Sequence, residues 1–162
     1  MAANETMAIW EAIGSTPPAS AAATFDLRNE RIVLDFDADA NETSYFSSVL
    51  PKHYAGGNLD CRLHWMATTA TSGNVRWRAA FERLEAGAPD LDSSGFQTAA
   101  EANGTADAAS GKLTVTTLTL TALDGAAAGD AFRLAVTRVS IDGTNDTMAG
   151  DAELVVVELV EA

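Results

Sequence analysis

Positive charge is what this chain lacks most: ten Lys and Arg stand against 23 Asp and Glu, for a net charge of −13. A surface so acidic repels phosphate backbones and anionic bilayers, so no nucleic acid and no membrane is expected as a partner. Cysteine is almost missing too. Cys61 stands alone, so no intrachain disulfide can form, and its place in an alternating apolar series marks it as a small buried hydrophobe. With only His53 and His64 as imidazoles, zinc has few donors; Cys61 and His64, three apart on a strand, point to opposite faces. No apolar run approaches membrane-spanning length. The opening "MAANETMAIWEAIG" carries acidic rather than basic residues, so no signal peptide is expected and synthesis is expected in the cytoplasm.

What is present is enough for one core: 162 residues, 47% of them apolar. Residues 1–21 read as an N-terminal arm, with Met7, Ile9, Trp10 and Ile13 among polar neighbours, ahead of the structure-breaking "GSTPPASAAA". Trp10 and Ile13 either cap the domain's own core or dock on a neighbouring subunit. Residues 22–162 read as an all-β domain of short strands punctuated by Gly, Asn and Asp, near 23–28, 31–37, 43–49, 58–69, 74–84, 112–121, 131–139 and 152–160. A weaker strand is expected around 96–100. About eight strands fit a jelly-roll-like antiparallel β-sandwich. The sequons beginning at Asn4, Asn41, Asn103 and Asn145 are expected to mark polar loops rather than glycans.

Two runs change phase. In "KLTVTTLTLT" the apolar positions move from Leu113 and Val115 to Leu118 and Leu120, which predicts a bulge or a crossing between sheets at Thr116–Thr117. In "FRLAVTRVSI" Phe132, Leu134 and Val136 share one face, and Val139 and Ile141 the other. The run "ELVVVELV" lacks clean alternation, so that strand is expected to be covered on both faces.

In "HWMATTATSGNVRWRAAFERL" (64–84) and the residues before it, Leu59, Cys61, Leu63, Trp65 and Ala67 point one way, as do Val75, Trp77, Ala79 and Phe81 across a turn read as a hairpin. The two tryptophans are therefore core neighbours. Arg62, His64, Arg76 and Arg78 gather on the outer face. That face reads as solvated charge balanced by Asp60 and Glu82, as an interface to an acidic protein surface, or as a phosphate site.

Chemistry finds little footing. Asp35, Asp37 and Asp39 alternate, yet Ala40 and Phe46 stand where a calcium loop needs Gly and Glu. "GTADAASGKL" resembles a phosphate loop only through Gly111-Lys112, since the spacing is wrong and Leu113 replaces the hydroxyl residue. No nucleophile elbow occurs. No catalytic residue, cofactor or metal is expected.

Four segments carry a likeness: "VLPKHYAGGNLDCRLHWMATTATSGNVRWRAAFERL" (49–84), "DLDSSGF" (90–96), "AAGDAFRLAVTR" (127–138) and "GDAELVVVELVE" (150–161). In this order, after an "LDF" strand (34–36), they resemble small β-sandwich structural proteins of tailed bacteriophages. The arm lies outside the likeness, and Lys52 and Cys61 count as variable within it. The resemblance implies a non-enzymatic virion protein, favoured as a capsid decoration (cement) protein bound to the major capsid protein or another virion protein. It implies a homo-oligomer, a trimer by the threefold symmetry of capsid lattices rather than by any residue, located on the capsid surface. A tail or head-fibre module facing a receptor and a carbohydrate-binding module are the alternatives; the latter would use outward aromatics such as Tyr45, Tyr54 or Trp10. Interface candidates are Trp10, Ile13, Arg62, His64, Arg76 and Arg78. On the cement reading, removing residues 1–20 is expected to spare the fold and weaken attachment.

Overall fold

The computed structural model describes residues 4–162, so the first three residues of the predicted arm lie outside the described residues. Strands β1 (Thr6–Glu11), β2 (Thr24–Arg28), β3 (Arg31–Phe36), β4 (Glu42–Val49) and β5 (Leu59–Ala67) are followed by β6 (Asn74–Leu84), β7 (Ala100–Thr105), β8 (Thr114–Leu120), β9 (Ala131–Arg138) and β10 (Ala152–Glu161). One antiparallel sheet runs β2-β3-β10-β5-β8, with β1 also on β10; the other runs β4-β9-β6-β7. From β3 to β10 every connection except β6 to β7 changes sheet, leaving two four-stranded layers, β3-β10-β5-β8 and β4-β9-β6-β7. That is jelly-roll connectivity. β1 and β2 are additions to it; the eight strands expected from the sequence include β2, and the two that bring the number to ten are β1 and β7.

The segment read as an arm is woven into both sheets. β1 pairs with β10 from Thr6 opposite Val160 to Glu11 opposite Val156, and it buries Met7. Farther on, Thr16 and Tyr45 exchange backbone hydrogen bonds of 2.8 and 2.9 Å, and Thr43 is held by Ala21 and Ala23, so this stretch covers the outer edge of β4. Removing residues 1–20 would strip a strand and part of the core. The mixed run in β10 is explained by its neighbours. β3 takes Ala152–Leu154, β1 takes Val156–Val160, and a register shift against β5 leaves Val155 as a bulge between them.

The connection 68–73 is the main departure from the sequence reading. β5 and β6 lie in different sheets, so it is a crossover rather than a hairpin. Their inward residues still meet, now from opposite layers: Trp65 and Trp77 are fully buried with ring centroids 5.9 Å apart, and Phe36 meets Trp77 edge-on at 5.1 Å.

No bulge occurs at Thr116. β8 keeps unbroken register with β5, so Leu113 and Val115 fall outside and Thr116 falls inside, where its hydroxyl accepts the Trp65 indole N–H at 2.9 Å. The tryptophan needs that acceptor, because a buried donor without a partner is costly. β7 runs Ala100–Thr105, so the weaker strand expected around 96–100 meets it only at Ala100; it carries Gly104 opposite the Trp65–Thr116 pair. A Cβ there would stand 2.1 Å from the Thr116 hydroxyl and 2.8 Å from the Trp65 ring, so the close approach requires glycine. The same strand removes the Asn103 sequon from the expected loop.

β9 likewise continues its inward phase past Val136 to Arg138, which is fully buried. Its guanidinium forms a two-pronged pair with Asp146 at 2.8 and 3.0 Å and donates to the carbonyls of Phe36, Met148 and Gly150. One cation thus ties β3, β9 and the 139–151 loop. The strand ends at this residue, Val139 is buried just beyond it, and Ile141 is exposed on the loop.

At the β2–β3 turn Asn29 and Glu30 both have positive φ, 47° and 64°, as a two-residue hairpin turn of right-handed twist demands. On β2 the Leu27 N–H is taken by the Asp26 carboxylate at 2.7 Å rather than by a neighbouring strand.

Arg138→Met is expected to cost about 3–5 kcal/mol in urea unfolding, because Asp146 stays buried without its cation. Thr116→Val, which strands the Trp65 N–H, is expected to cost about 1–3 kcal/mol by the same measurement.

Candidate functional site

The six candidate residues do not form one patch. Trp10 faces inward, packed against Phe46 and Phe132 at 5.7 and 5.9 Å, and its indole N–H donates to the Ser47 carbonyl at 3.1 Å. Ile13 lies outside, 60% exposed. Arg62 and His64 lie on the outer face of β5, loosely placed around Glu158 at 3.9 and 3.7 Å. Arg76 and Arg78 lie on the outer face of β6 and clamp Glu101 through bonds of 2.8 and 2.6 Å. Hydrogen bonds from Arg78 and Arg76 hold the Glu101 carboxyl below its usual range. Because β5 and β6 belong to different sheets, the two pairs occupy opposite sides of the sandwich. The basic face expected from the sequence is therefore split, and Glu82, expected as a solvated counter-charge, is buried and bound to Arg133 at 2.7 Å.

The aromatics offered for sugar contact are mostly committed. Tyr54 is buried with its hydroxyl donating to the Gly57 carbonyl at 2.6 Å. Its turn wraps the Glu161 carboxylate, which accepts the Ala55 and Gly57 N–H groups at 3.1 and 2.9 Å. Tyr45 points outward, but it stacks on Phe96 at 5.4 Å, and the Arg133 guanidinium lies over both rings at 4.6 and 4.8 Å. This cluster pins the 85–99 segment to the second sheet.

Among the described residues no group of three or more His, Cys, Asp and Glu is placed to hold a metal ion. Asp37 turns back to accept the Asp39 N–H at 2.6 Å, while Asp35 lies apart, opposite Glu153. Cys61 is buried, and burial pushes its thiol up to about 12, so it is inert as a nucleophile.

Sequence reasoning missed a large exposed apolar feature. The first sheet is wider than the second, and the β2–β3 hairpin overhangs it. Phe25, Leu27 and Ile32, which have the inward phase, are 50%, 66% and 39% exposed there, and with Ile13 they line an open depression of about 510 Å³. The alternation of β2 and β3 gave the phase; only the width of the opposing sheet decides that nothing covers it. Two further grooves flank the β10 bulge, about 450 Å³ toward Glu11 and Arg31 and about 400 Å³ toward Met66 and Leu113, and Val155 lines both. No protein-family model matches the chain, and no curated protein matches its sequence.

Asp35, which lines none of these surfaces, carries a pH signature of its own. Burial first, then the charges of Asp151, Glu153, Asp26 and Glu42, raise its carboxyl from 3.8 to about 6, and its Oδ1 is buried without a partner. A carboxyl raised in the native state binds its proton more tightly than in the unfolded chain. Its contribution to stability therefore falls as pH rises from about 4 through about 6. Asp35→Asn is expected to raise the thermal midpoint at pH 7.5 and to leave it unchanged near pH 4. An equal difference at both would show that this group does not titrate there.

Proposed function

We propose that the chain is a non-enzymatic structural protein of a tailed-phage virion, a capsid decoration protein that seats on the major capsid lattice as an oligomer, a trimer matched to local threefold positions. The observation that carries the reading is the apolar ledge of Ile13, Phe25, Leu27 and Ile32. A contiguous patch of this kind on an acidic protein suits a docking surface on a larger body, and three of its four residues stand on the β2–β3 hairpin rather than on a loop. The likeness of the 49–84, 90–96, 127–138 and 150–161 segments to small phage β-sandwich proteins supports the same reading. Many copies, each held by a modest apolar contact, would attach through summed avidity.

Cosedimentation of the purified chain with phage heads lacking a decoration protein tests this. The wild-type chain is expected to pellet with heads, and Leu27→Asp combined with Phe25→Ser is expected to abolish pelleting while circular dichroism stays unchanged. Failure of the wild-type chain to pellet with any head preparation would overturn the capsid reading. Pelleting with tails alone would move the protein to the tail.

A further inference from the structure

Ion pairing within the fold leaves a conspicuous remainder. Seven of the ten Lys and Arg lie within 4 Å of a carboxylate, all among the described residues. Arg31, Lys52 and Lys112 do not. Two of these three stand at one place: Arg31 lines the groove of about 400 Å³ beside Val155, and Lys112 is the exposed residue between Gly111 and Leu113, which also line it. The groove's apolar surface comes from Met66, Leu113 and Val155, and Leu113 is 51% exposed. An apolar hollow flanked by two cations without a carboxylate partner calls for an apolar knob flanked by anions.

The chain carries such a knob. In the loop between β6 and β7, Leu91 is 65% exposed and stands between Asp90 and Asp92, neither of which takes part in an ion pair. The loop is shaped in advance. Asp90 Oδ1 accepts the Asp92 N–H at 3.0 Å, and the Asp90 carbonyl accepts the Ser93 N–H at 3.1 Å, so little ordering is needed on contact. The loop follows β6 of the second sheet, whereas the groove lies on the outer face of the first, so one molecule cannot satisfy its own pair.

We propose that the Asp90–Leu91–Asp92 turn of one copy seats in the Arg31–Lys112 groove of a second copy, with Leu91 against Leu113 and Val155 and the two aspartates facing the two cations. Copies of a chain with net charge −13 repel one another. Contact is favoured where unpaired positive charge on one copy meets negative charge on the next. The contact is heterologous, and it closes into a ring or continues as a chain according to its rotation. It rests on the oligomeric half of the reading above and not on the capsid half.

Light scattering over a dilution series, in the absence of phage particles, tests it. Wild-type protein is expected to associate, with salt weakening the association. Arg31→Glu with Lys112→Glu, and separately Asp90→Lys with Asp92→Lys, are each expected to weaken it at least about tenfold. These pairs move the net charge in opposite directions, so overall repulsion cannot explain a loss in both. Mixing the two variants is expected to restore association, because each reversed surface then meets a complementary one. Leu91→Ser tests the apolar part and is expected to weaken association without altering charge. A wild-type monomer at every concentration, association that survives both reversals, or a mixture that stays dissociated would each overturn the proposal. Association without head binding would instead overturn the capsid reading and leave this contact standing.

Discussion

One strand edge has to serve two partners, and much of the molecule follows from how β10 divides it. Three residues of β10 pair with β3 and the next run pairs with β1, while its other edge pairs with β5. Two strands cannot share one straight edge without a break, and the bulge at Val155 supplies it. The break brings the N-terminal segment into the sheet, buries Met7 and partly buries Trp10. It also opens a groove on either side of Val155. Grooves and N-terminal docking are thus two results of one irregularity.

Charge is handled with similar economy. The chain has few cations, and several are placed where they join elements rather than where they decorate the surface. Arg138 holds the end of β9 to the following loop, Arg133 fixes the 85–99 segment through Glu82, Tyr45 and Phe96, and Arg28 reaches from β2 to Glu153 and the Ala67 carbonyl. Glu161 is satisfied by backbone N–H groups instead of a cation. Much of the remaining acidic charge is exposed, while these cations act as internal ties.

Sequence pattern conveyed the layers well and the connections poorly. Alternation in β5 and β6 identified every inward residue from Leu59 to Ala67 and from Val75 to Phe81. It could not separate a hairpin from a crossover, because both present the same residues to the core. The supposed basic face failed for that reason alone. Thr116 and Arg138 misled the phase reading because a polar residue at an inward position looks like a shift until its partner is known, Trp65 in one case and Asp146 in the other. β1 was read as an arm since Pro17 and Pro18 isolate it in the sequence, whereas its partner lies at the opposite end of the chain. The exposed ledge was illegible for a related reason: Phe25, Leu27 and Ile32 carry the pattern of core residues.

The carboxylate of Asp26 on the Leu27 N–H has a bearing on how the molecule behaves in a crowd. An outer strand bearing Phe25 and Leu27 would ordinarily invite further strands to add, and chains at high concentration would be at risk of fusing into fibrils. With that donor already occupied and a negative charge beside it, the strand keeps its apolar side chains exposed while its backbone is a poorer template for a further strand. Stickiness through side chains is thereby uncoupled from polymerisation through the backbone.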